Sequence, residues 1–264
     1  MRVLVTNDDG IESPGLAVLA RVALDAGADE VVVAAPARDS SGASAALLGA
    51  ERDGRLVVDR LDAPGLPGGV ASFAVRAAPG MIAFVAAHGG FGPKPDLVLS
   101  GVNRGANTGH AVLHSGTVGA ALSAATHGIR GMAVSLADAR PQHWGTAGLY
   151  ARHVLEWMRD RPHLPDRVVN LNVPDRPAGE VRGLRRAPLA AFGAVQARVH
   201  EVEHGNLMLT FSEHQASREQ DTDAGLLLRG WATVTLLHAP AFDAEADLPE
   251  SPGPLPGEAD AVSP

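Results

Sequence analysis

The feature that most constrains the fold is a series of short, continuously apolar runs that alternate with segments of helical periodicity. The strand-like runs lie at 2–6, 30–36, 96–101 and 131–136, and the helical patterns between them lie at 16–27, 81–90 and 117–128. Strands that are apolar at every position are typical of sheets buried on both faces, and their alternation with helices indicates βαβ units. The sequence therefore predicts an α/β fold with a doubly wound, mostly parallel, Rossmann-like sheet.

The second half of the chain continues this pattern and then departs from it. A helix is predicted near 146–160, and strands are predicted at 167–174 and 231–238. Between these strands, residues 180–215 show strand-like alternation with Gly205 as a turn signal. This alternation predicts an antiparallel hairpin that projects from the core.

Length and composition bound the domain organisation. With 264 residues and 45% hydrophobic residues the chain can bury a large core, and we expect residues 1–240 to form one domain that includes the hairpin. Residues 241–264 are acidic and rich in proline and glycine. Such a segment buries too little apolar surface to offset its ordering entropy, so we expect a disordered tail.

Charge and residue usage exclude several classes of function. The formal net charge of -8 provides no global basic field, so neither a nucleic-acid polymer nor a membrane is expected as a partner. The chain has no cysteine, which leaves oxygen and imidazole as the ligands for any metal ion. Neither a signal-peptide pattern nor an apolar run of roughly 20 residues is found, so the expected location is cytoplasmic.

Polar motifs follow three of the predicted strands. They are NDDG at 7–10, APARDSSGAS at 35–44 and SGVNRGANTGHAVLHSGTVGAA at 100–121. In open parallel sheets the loops at the carboxyl ends of strands form the ligand site. Asp8 and Asp9 follow a buried strand directly, and because adjacent carboxylates resist joint burial we expect a positive partner there. Both can serve one ion only from the turn after the strand, which Gly10 makes inexpensive.

The third motif contains a candidate anion site. Ser115, Gly116 and Thr117 stand where the predicted helix begins, so hydroxyls and unpaired backbone N–H groups converge on the positive end of the helix dipole. Phosphate suits such a site, although Ser115 or Thr117 could instead serve only as a helix N-cap. The nearby carboxylate, hydroxyl and amide oxygens suit Mg²⁺, Mn²⁺ or Ca²⁺, and together these features indicate metal-assisted hydrolysis of a phosphate ester.

These motifs resemble the survival protein SurE family of metal-dependent 5′/3′-nucleotidases. The matching stretches, in the family's order, are NDDGIESPGL, APARDSSGAS, PDLVLSGVNRGANTG and SGTVGAA, with weaker matches at LNVP and TDAGLLLRGWATVTLL. The resemblance implies a SurE-like fold, a divalent cation as cofactor, with Mg²⁺ or Mn²⁺ favoured, and hydrolysis of nucleoside 5′- or 3′-monophosphates. It also implies a homodimer or a tetramer formed through exchanged C-terminal segments. We expect the dimer, because the acidic tail argues against a further helical contact.

The resemblance also assigns roles to single residues. It places the metal ligands at Asp8, Asp9, Ser41 and Asn103, and the phosphate-facing residues at Asn107, Ser115, Gly116 and Thr117. Asp8 and Asp9 are the expected catalytic residues, and Asp8 is the favoured general base. Because Gly116 is distinct from the metal ligands, we expect a larger side chain there to block phosphate and to leave metal affinity unchanged.

Departures from the family pattern keep alternatives open. Residues 77–84 retain only the proline of a usual Gly-Thr-Pro-x-Asp-Cys-type segment, His110 replaces a usual aspartate and Ser123 a usual glutamate. A non-catalytic or weakly active nucleotide- or metal-binding protein is therefore the main alternative. Zinc binding by His110 and His114 is another. An aspartyl-nucleophile phosphatase is disfavoured because its carboxylates are usually two residues apart, and a dehydrogenase because no G-x-G-x-x-G follows the first strand.

Overall fold

The computed structural model describes residues 1–161, 167–191, 196–202, 206–212 and 219–240, so the predicted tail lies outside the described residues. The strands in these ranges are β1 (Arg2–Thr6), β2 (Glu30–Pro36), β3 (Glu51–Arg52), β4 (Arg55–Leu56), β5 (Val58–Arg60), β6 (Ala71–Val75), β7 (Leu97–Arg104), β8 (Arg130–Leu136), β9 (Arg167–Val173), β10 (Leu184–Arg186), β11 (Gln196–Val202), β12 (Asn206–Ser212) and β13 (Ala232–His238). The α-helices are α1 (Pro14–Asp25), α2 (Pro79–Ala87), α3 (Gly116–Ala125), α4 (Trp144–Arg159) and α5 (Asp223–Leu228), with 3₁₀ turns at Gly109–His114 and Ala178–Glu180.

Nine of the described strands form one sheet in the order β10-β13-β9-β8-β7-β1-β2-β6-β5. The strands from β9 to β6 are parallel, β5 is antiparallel to β6, and β13 is antiparallel to β9 but parallel to β10. The prediction of a doubly wound, mostly parallel α/β sheet is confirmed. The chain extends from β1 to β6 on one side and then crosses to β7 on the other side of β1. Ligands of such sheets bind at the carboxyl ends of the strands where the order reverses.

Helices cover both faces of the sheet, as the continuously apolar strands require. Val3 and Val5 of β1 belong to the core under α1 and α4, whereas Leu4 belongs to the core under α2 and α3. Alternate residues of β1 thus enter opposite layers, because side chains alternate along a strand. None of the helices in the described ranges combines the length and the apolar composition needed to cross a bilayer.

The region predicted as a hairpin divides into two parts. β11 and β12 pair antiparallel, with Gln196 opposite Ser212 and Val202 opposite Asn206, which confirms a hairpin over these residues. The prediction that it begins near residue 180 is wrong, because Leu184–Arg186 joins the edge of the main sheet beside β13. The edge of β13 offers backbone hydrogen-bonding groups that an adjacent strand satisfies. The predicted turn at Gly205 lies outside the described residues.

Candidate functional site

The acidic pair lies in a tight turn at the reversal of the strand order. The Asn7 side-chain amide donates to the Gly10 carbonyl at 3.0 Å, and the Gly10 N–H donates to Asn7 Oδ1 at 3.2 Å. Gly10 has a φ of +99°, a conformation that glycine adopts without steric cost. The turn begins where β1 ends, so Asp8 and Asp9 are released from the strand and bond to different partners.

Asp8 lies against the N-terminus of α3. The Thr117 N–H donates to Asp8 Oδ2 at 3.1 Å, and the Thr117 hydroxyl donates to Asp8 Oδ1. Asp8 is only 3% exposed, and this burial raises the pKa of its carboxyl although the Thr117 hydroxyl acts in the opposite direction. The partial positive charge at a helix N-terminus also favours the carboxylate. The structure thus brings together one predicted metal ligand and one predicted phosphate-facing residue.

Gly116 permits this close approach between α3 and Asp8. A Cβ atom at position 116 would lie 2.8 Å from Asp8 Cβ and 2.9 Å from Asp8 Oδ2. Ser115 is the N-cap of the helix, because its Oγ accepts the Val118 N–H at 3.1 Å. Of the two residues for which an N-cap role was open, Ser115 therefore has that role, whereas the Thr117 hydroxyl contacts Asp8.

Asp9 pairs with Arg104 at the end of β7. Arg104 donates its backbone N–H to Asp9 Oδ2 at 3.1 Å and its Nε–H to Asp9 Oδ1 at 2.9 Å. The same guanidinium lies 3.4 Å from Asp39 Oδ2, in the loop after β2. Burial raises the pKa of Asp9 despite these hydrogen bonds, and the bond to Asp9 raises the pKa of Arg104. The Ser41 N–H, 2.9 Å from Asp39 Oδ1, lowers the pKa of Asp39.

The other two predicted ligands adjoin these contacts along the chain. Ser40 donates its backbone N–H to the Asp8 carbonyl at 2.8 Å, and Ser41 follows it with an exposed side chain. Asn103 Nδ2 donates to the carbonyls of Arg104 at 3.3 Å and Gly105 at 2.8 Å. Since these bonds use the nitrogen, Oδ1 is the atom of Asn103 that can bind a cation. The loops after β1, β2 and β7 therefore meet at the strand-order reversal.

Asn107 attaches the loop after β7 to the neighbouring strands. Its N–H donates to Asn172 Oδ1 at 2.8 Å, and its Nδ2 donates to Ser135 Oγ at 2.9 Å. Its carbonyl accepts from the amides of Asn170 and Asn172, both at 2.8 Å. A side-chain amide carries two N–H groups. One N–H of the Asn107 side chain is used in the bond to Ser135. The predicted contact of Asn107 with phosphate needs the other N–H, and this contact stays a prediction.

The two histidines of the third motif lie in the 3₁₀ turn Gly109–His114, and both are exposed. With about three residues per turn, positions four apart differ by roughly a third of a turn. His110 and His114 therefore do not share a face as they would on an α-helix. Within the described ranges no group of three or more His, Cys, Asp or Glu side chains is placed to hold a metal ion.

Two departures from the family pattern contact each other. Ser123 Oγ donates to the Gly80 carbonyl at 3.0 Å, which joins α3 to α2. Gly80 belongs to the altered segment 77–84. The contact lies about two helical turns from Gly116 along α3, so these departures are separated from the acidic pair.

Arg104 contacts the acidic pair and Asp39 contacts Arg104, although neither is among the residues predicted from the sequence. The sequence feature that could have identified them is their position: Arg104 follows the predicted ligand Asn103 directly, and Asp39 precedes the predicted ligand Ser41 by two residues. A cation next to a carboxylate-rich motif in a chain of net charge -8 is an expected ion-pair partner. Which carboxylate it meets depends on the fold.

A cavity of about 890 Å³ opens beside the loop after β2. Its lining includes two serines, two arginines and small apolar residues, among them Ser40, Ser41, Arg38, Arg76, Leu48, Ala77 and Ala78. Small-molecule sites commonly fall within about 300–1,000 Å³. A larger cavity of about 1250 Å³ lies between α4 and the β10–β13 edge, but its lining contains none of the predicted site residues. Of these two cavities, the smaller is connected to the site, through Ser41.

Known proteins match this chain over most of its length. The family model described as Survival protein SurE matches residues 3–195. The chain is 38% identical to 5'-nucleotidase SurE of Aeromonas hydrophila over 185 residues, 70% of each protein. It is 43% identical to 5'-nucleotidase SurE 1 of Burkholderia lata over 247 residues, 89% of this chain and 90% of that protein. A crystal structure of a SurE protein from Aquifex aeolicus superposes with a TM-score of 0.77 at 25% identity, covering 92% of this chain and 95% of that one. The chain belongs to the survival protein SurE family.

Proposed function

We propose that this chain is a divalent-metal-dependent phosphatase that hydrolyses nucleoside 5′- or 3′-monophosphates to nucleoside and phosphate. The names of the similar proteins from Aeromonas hydrophila and Burkholderia lata, both 5'-nucleotidases, support the reaction and the substrate class. The observation that carries the proposal is the hydrogen bond from α3 to Asp8. It joins the acidic pair to a helix N-terminus, which is where phosphate binds in many proteins.

The donor set fits a hard divalent cation, and we propose Mg²⁺ or Mn²⁺. Asp8, Asp9, Ser41 and Asn103 offer carboxylate, hydroxyl and amide oxygens, which are the ligands that these ions prefer. Both carboxylates are largely buried, with 4% of the Asp9 side chain exposed. When bound, the ion would polarise a phosphoryl oxygen and lower the pKa of a water molecule.

The chain's own residues orient the carboxylates and the phosphate in this proposal. Thr117 holds both oxygens of Asp8, so the proposed general base has a fixed orientation. Arg104 holds both oxygens of Asp9 in the same way. The backbone N–H of Gly116 would donate to a phosphate oxygen, because N–H groups in the first turn of a helix have no partner within the helix, whereas the Thr117 N–H already donates to Asp8 and the Val118 N–H to Ser115. The second N–H of the Asn107 amide would add a donor.

We propose that the cavity beside Ser41 receives the nucleoside. The cavity is lined by Ser40 and Ser41, and the Ser40 N–H donates to the Asp8 carbonyl, so the cavity opens next to the acidic pair. Its apolar lining suits the face of a base, and the guanidinium groups of Arg38 and Arg76 can stack on it. Ala77 belongs to the segment that departs from the family pattern, so we expect base preference to differ from that of relatives with the usual segment.

Phosphate release from purified protein tests the proposed function. Adenosine 5′- and 3′-monophosphates should be hydrolysed with Mg²⁺ or Mn²⁺ and not with EDTA. Asp8→Asn and Asp9→Asn should each raise the metal concentration for half-maximal activity by at least about 10–100-fold. Asp25→Asn is the matched control, because Asp25 is exposed at the end of α1. A folded protein that releases no phosphate with either ion would contradict the proposal and favour the non-catalytic alternative.

We also propose a homodimer that uses the hairpin. Among the described strands β11 and β12 pair only with each other, and an isolated two-stranded ribbon is marginal in water. Replacing residues 196–212 by a short glycine linker should give a monomer or an insoluble chain in light scattering. The replaced segment begins after residue 190, because Ala187 and Ala190 are hydrogen-bonded to the core and must be kept. A full-length protein that is monomeric at micromolar concentration would contradict the proposed dimer. A tetramer would instead support the larger assembly that the family resemblance also allows.

A further inference from the structure

A buried aspartate outside the acidic pair joins the C-terminal part of the chain to the site loop. We use "site loop" for residues 105–115, which connect β7 to α3. Asp223, the first residue of α5, is 0% exposed. Its Oδ2 accepts the Gly109 N–H at 2.8 Å, and its Oδ1 accepts the N–H groups of Ala190 at 2.9 Å and Ala224 at 2.8 Å. Hydrogen bonds to an ionised acceptor are roughly twice as strong as neutral ones.

Asp223 is attached to the main sheet through residues 187–190, which follow β10. The Asp223 N–H donates to the Pro188 carbonyl at 2.9 Å. Thr235 of β13 donates its hydroxyl to the Ala187 carbonyl at 2.9 Å, and Ala190 packs against Ala224 in the core. Because β13 lies inside the sheet between β10 and β9, Asp223 has a fixed position relative to the strands.

The site loop is bonded to Asp223 and Ala190 at the start of the 3₁₀ turn that precedes α3. Gly109 donates to Asp223, and the next N–H, that of His110, donates to the Ala190 carbonyl at 3.2 Å. The 6-residue 3₁₀ turn that starts at Gly109 leads directly to Ser115, the N-cap of α3. A displacement at Gly109 is therefore passed through one short turn to the helix N-terminus that contacts Asp8.

We infer that Asp223 is a positioning residue for the reaction, which holds the site loop and thereby the phosphate-facing N-terminus of α3. The inference rests on the proposed function. It requires no contact between Asp223 and the substrate. The site loop has a second attachment, from Asn107 to the ends of β8 and β9, so loss of the Asp223 bonds should misplace the loop and leave the chain folded.

Steady-state kinetics with adenosine 5′-monophosphate distinguish positioning from general stability. Asp223→Ala should lower kcat/KM by about 10–100-fold, the usual effect of losing a residue that orients a site. The rise in KM should exceed the fall in kcat, because the displaced donors bind phosphate in the ground state as well. Asp175→Ala is the matched control: Asp175 also accepts backbone N–H groups, from Gln142 and His143, but the loop it holds carries none of the predicted site residues.

Hydrogen exchange measured without substrate provides a readout that does not depend on activity. Asp223→Ala should increase exchange in 105–115 by at least about tenfold through the lost charged hydrogen bonds, and Asp175→Ala should leave that segment unchanged. A folded Asp223→Ala protein with the original KM, or with unchanged exchange in this segment, overturns the inference. If the alanine variant does not fold, Asp223→Asn, which keeps the shape and one carbonyl oxygen, decides by the same measurements. If the unmodified protein hydrolyses no nucleotide, the proposed function fails, and the exchange experiment alone decides whether Asp223 holds the loop.

Discussion

Replacing Gly116 by alanine tests the close packing between α3 and the acidic pair. The added Cβ would lie 2.8 Å from Asp8 Cβ and 2.9 Å from Asp8 Oδ2. Because non-bonded carbon atoms are most stable about 3.5–4.0 Å apart, either α3 or Asp8 must move by about 1 Å. A misplacement of about 1 Å in a catalytic group can cost about 100-fold in rate. We therefore expect Gly116→Ala to lower kcat/KM by about 100-fold.

The same geometry changes the expectation for metal binding. From the sequence, a larger side chain at Gly116 is expected to block phosphate and to leave metal affinity unchanged. In the structure the atoms that a side chain at position 116 would meet belong to Asp8, a proposed metal ligand. We now expect Gly116→Ala to weaken turnover and metal binding together, and the larger Gly116→Val to weaken both further.

Activity measured against Mn²⁺ concentration, with metal affinity measured separately by calorimetry, checks both effects. Gly145→Ala is the matched control, because Gly145 also lies in the first turn of a helix and an added Cβ there meets nothing within 4 Å. Alanine inside a helix is more stable than glycine by roughly 0.5–1 kcal/mol, so this control should be neutral or stabilising. A Gly116→Ala protein with unchanged kcat/KM and an unchanged metal titration would refute the packing argument.

Two further predictions concern other charged groups. Arg104→Met removes the guanidinium from Asp9, so a bound cation no longer competes with a fixed positive charge. At low salt we therefore expect the metal concentration for half-maximal activity to fall about threefold. An unchanged or higher metal concentration at half-maximal activity would contradict this. Burial raises the pKa of Asp175, but hydrogen bonds from two backbone N–H groups outweigh it and the net pKa is lowered. The stabilisation from Asp175 is therefore present above its unfolded pKa near about 4 and is lost as pH falls through the lower folded pKa. Thermal unfolding between pH 7 and pH 3 should show a smaller acid loss of Tm for Asp175→Asn, and equal losses would contradict the assignment.

The central strands could be predicted from the sequence because burial on both faces requires apolar residues at every position. The two edge strands could not be placed in the same way. All three residues of β5 (Val58–Arg60) are exposed, so this segment lacks the hydrophobic periodicity that identifies a strand. β10 (Leu184–Arg186) lies within the strand-like stretch 180–215, but that alternation does not show that β10 pairs with β13 instead of joining the hairpin. Their strand conformation comes from the neighbouring strand, which supplies the hydrogen bonds.

The meeting of the three polar motifs could be predicted from the sequence, but the contacts between their residues could not. Parallel strands bring their carboxyl ends to one edge, which is why the motifs after β1, β2 and β7 meet. The contacts of Asp8 with Thr117 and of Asp9 with Arg104 join residues 109 and 95 positions apart, and the bond from Gly109 to Asp223 spans 114 positions. A local motif carries no information on such pairs, because the sheet order and the crossover between β6 and β7 determine which loops become neighbours.

The adjacent carboxylates that begin the site have separate positive partners, and these partners do not balance the charge. Asp8 faces a helix N-terminus, equivalent to about half a positive charge. Asp9 shares a single guanidinium with Asp39. Three carboxylates against one guanidinium and one helix end leave about one and a half negative charges on the acidic pair and the neighbouring Asp39. Asp39 is exposed, but Asp8 and the Asp9 side chain are 3% and 4% exposed, so water screens the charge of the acidic pair poorly. A bound divalent cation, as proposed, would bring the sum close to zero. The burial that makes two neighbouring aspartates costly in this chain is therefore also what would make the site selective for a doubly charged ion.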